Sequence, residues 1–390
     1  MKLVNGNRIT LLKNGAEFFP ALEAAIDAAM SDIRLETYIF VEDTSGTRIA
    51  NALIRAASRG VRVQALIDGF GSRATPTEFF GRMQAAGVAL TLFQPVRTVF
   101  DYRRKRVRRL HRKIVLVDGH IGFVGGINMI DDFNQSLSPA HPRYDYVVKI
   151  EGPVLADVYI SVQHLWHKVQ WFSRKRRAPH VLPHPALAAN ASEASEAGEA
   201  ALAFVTRDNF RHRRDIERAY LQAISAAKKE ILLVSPYFFP GRKLRNALMN
   251  AAERGVTVTV LLQGAADHPF LQWATRALYD RLLGAGIAIH EYHQSMLHGK
   301  VAVIDGHWAT VGSSNLDPFS LLHNREANIV AQDVPFARAL RASVMDEIAQ
   351  NAVQLSLARW QQRGVWLRFK SWLAFGFARF AIGLMGGNFD

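Results

Sequence analysis

One pattern occurs twice in this 390-residue chain, and it constrains the fold more than any other feature. The first copy runs from His111 to Asn128, and the second runs from His298 to Asn315. Both read H-x-K, four residues, D, six residues, G-[GS]-x-N. A single short match means little, but two full copies at the same spacing are not a coincidence. We therefore expect two related halves that each contribute one copy to a shared site.

The repeated residue types are those that phosphoryl transfer requires. The residues after each histidine alternate as in a strand, so His and Lys of one copy point to the same face. One histidine can attack phosphorus to give a phosphohistidine, while the other protonates the leaving alcohol. Lysines and asparagines hold the phosphate oxygens as negative charge builds on them. The two copies would bring the following side chains around one phosphate: His111, Lys113, Asn128, His298, Lys300 and Asn315.

The duplicated pattern resembles the defining motif of the phospholipase D superfamily. The resemblance implies two homologous halves, each a mixed β-sheet flanked by helices, packed with the active site between them. It also implies one carboxylate per half that accepts a hydrogen bond from the second ring nitrogen of the histidine in the same half. Asp145, 34 residues after His111, and Glu326, 28 residues after His298, match that role. Such a partner fixes the histidine tautomer and stabilises the imidazolium. The alternative is that both are surface carboxylates beside neighbouring arginines.

The aspartates that complete each catalytic motif have a different expected role. Asp118 and Asp305 lie seven residues after the histidines, which places them on the opposite face of the strand. We interpret them as structural residues that orient the turn following the motif strand, rather than as proton carriers.

The rest of the chain repeats a helix–strand order in both halves. Residues 15–32 are predicted to form a helix, because apolar side chains up to Met30 recur at helical spacing, and residues 33–40 are predicted to form a strand. The junctions Arg59-Gly60-Val61 and Arg254-Gly255-Val256 occupy the same place in each half. Strands that alternate with helices predict the α/β class.

The repeat divides the chain into four segments. The halves are assigned to residues 1–177 and 204–355, with a linker at 178–203 and a tail at 356–390. The linker interpretation rests on a proline-rich start followed by a run of Ala, Ser and Glu.

The composition indicates polyanionic partners and a reducing compartment. The formal net charge of +14 favours nucleic acid or an anionic membrane surface. The chain has no cysteine, which excludes disulfides and cysteine-bound metals. The first eight residues lack the apolar core of a signal peptide, and no apolar run approaches the roughly 20 residues of a membrane crossing. We therefore expect a soluble or peripheral protein.

Two further segments carry positive charge. Residues 102–113 hold six arginines and two lysines without an acid, which suits either a solvated loop or recognition of anionic head groups. Residues 365–380 interleave large aromatic side chains with cations. That stretch is suited to lie at a membrane interface, and the alternative is a helix packed on the core.

No metal or other cofactor is expected. Three pairs of histidines lack the acidic residues that would complete a metal site at a diagnostic spacing. They are His164 with His167, His180 with His184, and His290 with His293.

Over residues 5–385 the chain resembles the short bacterial cardiolipin synthases. The resemblance rests on residues 111–115, 125–128, 151–153 and 235–240. It implies that two phosphatidylglycerol molecules are joined into cardiolipin with release of glycerol, at the cytoplasmic face of the bacterial cell membrane. The chain lacks the N-terminal membrane helices of the longer synthases, so another segment would have to hold it there. Transfer must outcompete water, which calls for an apolar acceptor channel. The candidates to line it are Tyr38, Phe40, Tyr237, Phe238 and Phe239.

Two other functions remain open from the residues. The first is a phospholipase D-type phosphodiesterase that hydrolyses phospholipid or nucleic acid. The aromatic and cationic tail argues against nucleic acid, because a nuclease needs no interfacial anchor. The second is a membrane scaffold without turnover, which is disfavoured because neither motif copy has lost a reactive residue. The pattern leaves open which histidine is the nucleophile, and it says nothing of the oligomeric state.

Overall fold

The structure is a computed structural model that describes residues 1–95, 108–135, 138–172, 198–209, 211–265, 269–362 and 365–384. Its strands are β1 Val4–Lys13, β2 Asp32–Thr37, β3 Arg62–Asp68, β4 Ala89–Phe93, β5 Lys113–Val117, β6 Ile121–Gly125, β7 Tyr146–Glu151, β8 Ala200–Arg207, β9 Glu230–Ser235, β10 Thr257–Gln263, β11 Ala288–Tyr292, β12 Val301–Ile304, β13 Trp308–Gly312, β14 Glu326–Gln332 and β15 Ala352–Gln354.

The helices precede or connect these strands. They are α1 Asn14–Asp27, α2 Thr44–Ser58, α3 Thr77–Ala85, α4 Leu155–Phe172, α5 Asp215–Ala226, α6 Arg242–Glu253, α7 Pro269–Arg276, α8 Tyr279–Gly284, α9 Pro318–Leu322, α10 Val334–Asn351, α11 Leu357–Gln361 and α12 Val365–Leu384.

Each half builds a mixed sheet in the same way, which confirms the predicted α/β class and the duplication. In the first half β2, β3 and β4 are parallel, because helices α2 and α3 carry the chain back between them. The motif strand β5 then pairs antiparallel with β2, followed by β6 and β7. The second half repeats this order with β9, β10, β11, then β12, β13 and β14.

The two half-sheets are joined edge to edge. Strand β1 pairs with β7 in its own half and with β8 of the other half, where Val4 is opposite Leu202 and Asn7 is opposite Ala200. Within the described residues the strand order is β15-β11-β10-β9-β12-β13-β14-β8-β1-β7-β6-β5-β2-β3-β4.

Among the described residues, three large hydrophobic cores hold the layers together, beside a smaller cluster around Leu110. In the central core the half-sheets meet, with β6 against β14 and β7 against β13, and helices α4 and α10 pack there as well. One outer core lies under α1, α2 and α3, and the other lies under the helices of the second half other than α10. Strand β5 serves two cores by alternation: Ile114 and Leu116 enter the central core, while Val115 and Val117 enter the outer one.

Some predicted boundaries were wrong. Helix α1 ends at Asp27 rather than at residue 32, and Met30 lies beyond it with 86% of its surface exposed. The reason is that the backbone N–H groups of residues 30–32 are bound by the Asp118 carboxylate, which turns the chain into β2. Strand β2 ends at Thr37, three residues earlier than predicted.

The predicted linker also ends earlier than expected. Strand β8 begins at Ala200, so residues 200–203 belong to the second half, because β8 pairs there with both β14 and β1. Residues 178–197 of the predicted linker lie outside the described residues. The predicted tail contains α11 and α12.

Within the described ranges, no helix combines the length and the apolar character that crossing a membrane requires.

Candidate active site

The segment before each motif strand pairs with a segment of the opposite half. Leu110 forms a parallel bridge with Arg325, and the His111 N–H donates to the Arg325 carbonyl at 3.0 Å. In the same way Leu297 bridges to Tyr144, whose carbonyl accepts from the His298 N–H at 2.8 Å. Each histidine backbone is therefore fixed by the residue that directly precedes the acid of the other half, Arg325 before Glu326 and Tyr144 before Asp145.

This cross-pairing decides which carboxylate reaches which imidazole. The His111 Nδ1 lies 3.0 Å from the Glu326 carboxylate, and the His298 Nδ1 lies 2.6 Å from Asp145 Oδ2. The expectation that each acid serves the histidine of its own half is therefore wrong. The reason is the register: Asp145 follows Tyr144, which pairs beside Leu297, so Asp145 stands next to His298.

The two acids are held by different neighbours. Glu326 also accepts a hydrogen bond from the Ser313 hydroxyl at 2.5 Å, whereas Asp145 accepts from the Tyr146 N–H at 2.7 Å. Gly126 occupies the place of Ser313 in the first half, and a Cβ there would lie 2.2 Å from Asp145 Oδ1. The shorter acid lies so close to the backbone that only glycine fits beside it.

Each motif lysine contacts the backbone of the histidine that precedes it by two residues. Lys113 Nζ donates to the His111 carbonyl at 2.5 Å, and Lys300 Nζ donates to the His298 carbonyl. Both side chains are almost fully buried. Burial lowers the pKa of Lys113 to about 7 and that of Lys300 to about 8, although the nearby carboxylates oppose this shift. These contacts are to the backbone carbonyls of the histidines, so the prediction that His and Lys of each copy share a face stays a prediction.

Burial also shifts the pKa values of the imidazoles and of their carboxylate partners. It lowers the pKa of both histidines, and the charges of Lys113 and Lys300 lower it further. Burial would raise the pKa of Glu326, but the His111 interaction, Lys113 and the hydrogen bond from Ser313 outweigh it and lower that pKa. Glu326 is therefore a carboxylate that accepts the Nδ1 proton of His111, which leaves the Nε2 lone pair of His111 available.

In the second pair, Asp145 and His298, the effects on the pKa of the acid balance differently. Burial raises the pKa of Asp145 to about 7, and the charges of Lys300 and Lys113 only partly offset this effect. Burial first, and then the charges of Lys300 and Lys113, lower the pKa of His298 well below its ordinary value, so both members of this pair are shifted toward their neutral forms.

The motif asparagines are both buried. Asn128 is 4% exposed, and its side-chain oxygen accepts from the Ile39 N–H at 3.1 Å, which leaves its amide N–H groups as donors. Asn315 is 5% exposed, and its side-chain oxygen has no hydrogen-bond partner within the described part of the chain.

The motif aspartates lie at the other ends of their strands. The Asp118 carboxylate accepts N–H bonds from residues 30–32 at 2.8 Å, and Asp305 accepts from residues 228–230 at 2.8–2.9 Å. Strand β5, with five residues and a length of roughly 16 Å at about 3.3 Å per residue, lies between Asp118 and His111. The aspartates therefore organise the turns before β2 and β9, and the expectation that they orient the turn after the motif strand is corrected.

Sequence reasoning missed two residues that position the motifs. Asp68 Oδ2 accepts from the Leu110 N–H at 2.8 Å, and Gln263 Oε1 accepts from the Leu297 N–H at 2.5 Å. Both are the last residues of equivalent parallel strands, β3 and β10. The repeat held a signal for them, because each lies eight residues after the glycine of the matched R-G-V junction.

Of the predicted channel-lining aromatics, Tyr38 lies against motif residues. Its ring lies 5.0 Å from the His111 ring in an edge-on arrangement, and Lys113 Nζ lies 5.6 Å from its centre. Phe40, Phe238 and Phe239 are core residues instead, buried in the outer cores of the two halves. Tyr237 is half-buried.

The basic segment is described only in part. Residues 102–107 lie outside the described residues. Arg109 lies over the Phe70 ring at 4.1 Å, and Arg112 forms a buried ion pair with Glu36. Arg112 therefore serves the packing of β5 rather than a head group.

Two of the three histidine pairs lie on or directly after described elements other than the motif strands. His164 and His167 lie on α4, and His290 lies in β11, with His293 just beyond it. His180 and His184 lie outside the described residues. Across the ranges that the structure describes, His, Asp and Glu side chains form no group of three or more that could hold a metal ion.

Comparison with known proteins agrees with this geometry. Residues 22–166 and 220–347 match the family described as "Cardiolipin synthase, PLD-like domain". The chain is 40% identical to "Cardiolipin synthase B" of Salmonella typhimurium over 385 residues, which are 98% of this chain and 90% of that protein. The chain belongs to the cardiolipin synthase family. As a member it is a phosphatidyltransferase of the phospholipase D superfamily, and the predicted enzyme class is confirmed.

Two other cardiolipin synthase relatives and one solved structure extend the comparison. The chain is 39% identical to "Cardiolipin synthase B" of Escherichia coli strain K12, with the same coverage, and 28% identical to "Major cardiolipin synthase ClsA" of Bacillus subtilis over 93% of this chain and 73% of that protein. The phosphatidylserine synthase of Haemophilus influenzae superposes with a TM-score of 0.70 at 15% identity, covering 96% of this chain and 94% of that chain. At that identity the likeness concerns the fold.

Proposed function

We propose that this cardiolipin synthase family member joins two phosphatidylglycerol molecules into cardiolipin and releases glycerol, through a phosphohistidine. The observation that carries the proposal is the pair of buried imidazoles, each with Nδ1 on a carboxylate of the opposite half. Both Nε2 atoms are then left for one phosphate, and each motif lysine donates to the backbone carbonyl of its own histidine.

In the first step, Nε2 of one imidazole attacks the phosphorus of the donor lipid. The P–N bond forms as the bond between phosphorus and the glycerol oxygen breaks, and the leaving oxygen takes a proton from the other imidazole. In the second step, a head-group hydroxyl of the acceptor lipid attacks phosphorus and gives its proton to that same imidazole. The P–N bond breaks, so two phosphatidylglycerols yield cardiolipin, glycerol and the unchanged enzyme.

The surrounding side chains stabilise the charge that develops. Lys113 and Lys300, as cations, oppose the negative charge on the non-bridging oxygens, and the amides of Asn128 and Asn315 donate to them. The carboxylates stabilise whichever imidazole becomes cationic. These four donors and two acids provide the electrostatic stabilisation from the chain itself.

The burial of the site favours transfer over hydrolysis. The side chains of His111 and His298 are only 12% and 13% exposed, and those of both acids are at most 1% exposed. A site with so little open surface admits few waters to compete with the acceptor hydroxyl. We place the reaction at the cytoplasmic face of the bacterial membrane, in line with a chain that is without cysteine and carries a formal charge of +14.

Product analysis tests the proposal. The protein is incubated in excess EDTA with vesicles that contain phosphatidylglycerol labelled in its head-group glycerol. Cardiolipin and free labelled glycerol in equal amounts are expected, because the stabilising groups named above belong to the protein. Phosphatidic acid as the main product would mean hydrolysis and would contradict the transferase assignment. Loss of activity in EDTA that one metal restores would contradict the proposed mechanism.

A further inference from the structure

Helix α12 has one face packed on the protein and one face open to solvent. Ser371, Ala374 and Ala378 are 4–6% exposed and pack against the second half, along α7. The opposite side forms what we term the aromatic face: Trp366 (76% exposed), Phe369 (47%), Trp372 (66%), Leu373 (49%), Phe377 (62%) and Phe380 (64%). At 3.6 residues per turn these residues form one continuous stripe. The alternative of a helix packed on the core therefore holds for one side of α12, and the membrane-interface interpretation stays a prediction for the other side.

The packed side explains why α12 is fixed in place. The half-buried Phe375 lies 5.3 Å from the Phe239 ring, measured between ring centres, and small residues let the helix approach closely. Phe375 is thus a packing residue and does not belong to the aromatic face. The protein holds the helix firmly while several large apolar side chains remain exposed, which is typical of a surface that binds something.

Charge indicates what that surface binds. Helix α12 contains three cations and no acid. Lys370 and Arg379 are both exposed, and the helical period places them on the two borders between the packed side and the aromatic face. Exposed aromatics with cations along both edges suit a bilayer surface with anionic head groups, where the rings enter the interface and the cations meet phosphates.

The position of α12 relates this surface to the active site. The Phe239 N–H donates to the Leu316 carbonyl at 2.8 Å, and Leu316 directly follows the motif residue Asn315. Phe239 follows the carboxyl end of β9, and β12 begins beside that same end, with Val301 opposite Val234. The helix therefore lies near the end of the strands where the second motif contributes Lys300 and Asn315.

We propose that the aromatic face of α12 docks the enzyme on an anionic bilayer and holds the strand ends that carry the active site against the membrane surface. The proposal rests on the proposed function for the lipid nature of the substrates. It identifies the docking surface and the orientation in which both lipids reach the site from the bilayer.

Point variants test this surface without removing the packed side of the helix. The test variant carries Trp366→Ser, Trp372→Ser and Phe380→Ser. The matched control is Trp171→Ser, because Trp171 is 80% exposed on α4, far from α12 in sequence. A charge variant carries Lys370→Gln and Arg379→Gln. Each is measured by cosedimentation with phosphatidylglycerol and phosphatidylcholine vesicles over a salt series, and by transfer activity on vesicles and on short-chain monomeric phosphatidylglycerol.

The test variant is expected to bind vesicles about tenfold more weakly or worse at every salt concentration, because insertion of aromatic rings is hydrophobic. Its activity on vesicles should fall in parallel, while its activity on monomeric substrate stays near that of the unmodified protein. The charge variant should lose binding mainly at low salt and mainly on anionic vesicles, since the attraction acts within about 10 Å at 0.1 M salt. Trp171→Ser should behave like the unmodified protein.

Two results would overturn the proposal. One is vesicle binding by the test variant equal to that of the unmodified protein. The other is a fall in its molecular mass by sedimentation velocity, which would mean that the aromatic face binds a second copy of the chain. If the unmodified protein binds vesicles through α12 but converts neither form of phosphatidylglycerol, the proposed function fails and the docking surface stands.

Discussion

The imidazole of His111 and the carboxylate of Glu326 are 215 residues apart in the chain and 3.0 Å apart in the structure. His298 and Asp145 form the second such pair, again across the two halves. Neither half therefore holds a complete histidine–carboxylate pair. The duplication yields a working site only when the halves pack, because each supplies the acid that orients the imidazole of the other.

The cross-pairing predicts which ring each acid affects. Glu326→Gln should shift the ¹⁵N resonances of the His111 ring and leave those of His298 nearly unchanged, while Asp145→Asn should do the reverse. Each variant should also lower the transfer rate about a hundredfold or more, since the imidazole loses the partner that fixes its tautomer. Resonances are assigned with His111→Ala and His298→Ala. A shift of the His298 ring in Glu326→Gln would contradict the pairing.

An exchange of the residues beside the two acids should have unequal effects. Ser313→Gly removes one hydrogen bond to Glu326, so a loss of activity of about tenfold is expected with little change in fold. Gly126→Ser should be far more harmful, because its Cβ would lie 2.2 Å from Asp145 Oδ1 and displace that acid from His298. Activity and thermal unfolding of both variants are compared. Equal, mild losses would mean that the close contact at Gly126 has no importance.

The lowered pKa values of the buried lysines predict that activity falls at alkaline pH. Burial favours the neutral amine, so the cations are present below pKa values of about 7 for Lys113 and about 8 for Lys300 and are lost above them. With monomeric substrate, kcat/KM should fall about tenfold per pH unit above the first pKa and more steeply above the second. Lys113→Arg keeps its charge and should move the onset of the fall upward. A flat profile from pH 7 to 9 would refute this role.

Asp118 and Asp305 should matter for stability more than for chemistry. Asp118→Asn retains one acceptor and suits the positive φ of 52° at that position, but it loses carboxylate bonds to the turn before β2. A loss of about 1–3 kcal/mol of unfolding free energy is expected, with the rate per folded molecule within a few-fold of normal. Denaturant unfolding and active-site titration separate the two effects. A large fall in the rate of fully folded protein would instead assign Asp118 to catalysis.

The sequence alone predicts most of the site and much of the fold. The alternation of Lys113, Val115 and Val117 places β5 and its motif correctly, because a strand period depends only on neighbouring residues. The end of α1 could not be read locally, since Asp118 fixes residues 30–32 from 86–88 positions away.

For a similar reason, the spacing in the sequence could not show which acid pairs with which histidine. Asp145 follows His111 closely enough to suggest a local partner, yet the bridge between Tyr144 and Leu297 assigns it to His298. Such a bridge exists only once the two halves are packed. An aromatic residue such as Phe40 looked the same in sequence as Tyr38, and only packing separates the core residue from the one beside His111.

The central claim is that one site contains both imidazoles and needs both. The most direct measurement is the rate of phosphatidyl transfer by His111→Ala, His298→Ala and the double variant. The exposed residues His120 and His307, near the far ends of the same strands, provide matched alanine controls. Each single variant should be at least about a thousandfold slower, and the double variant scarcely slower still, because groups that act as one unit are not additive. A single variant that keeps more than about a tenth of the normal rate, while the controls remain fully active, would contradict a nucleophile and a general acid in one shared site.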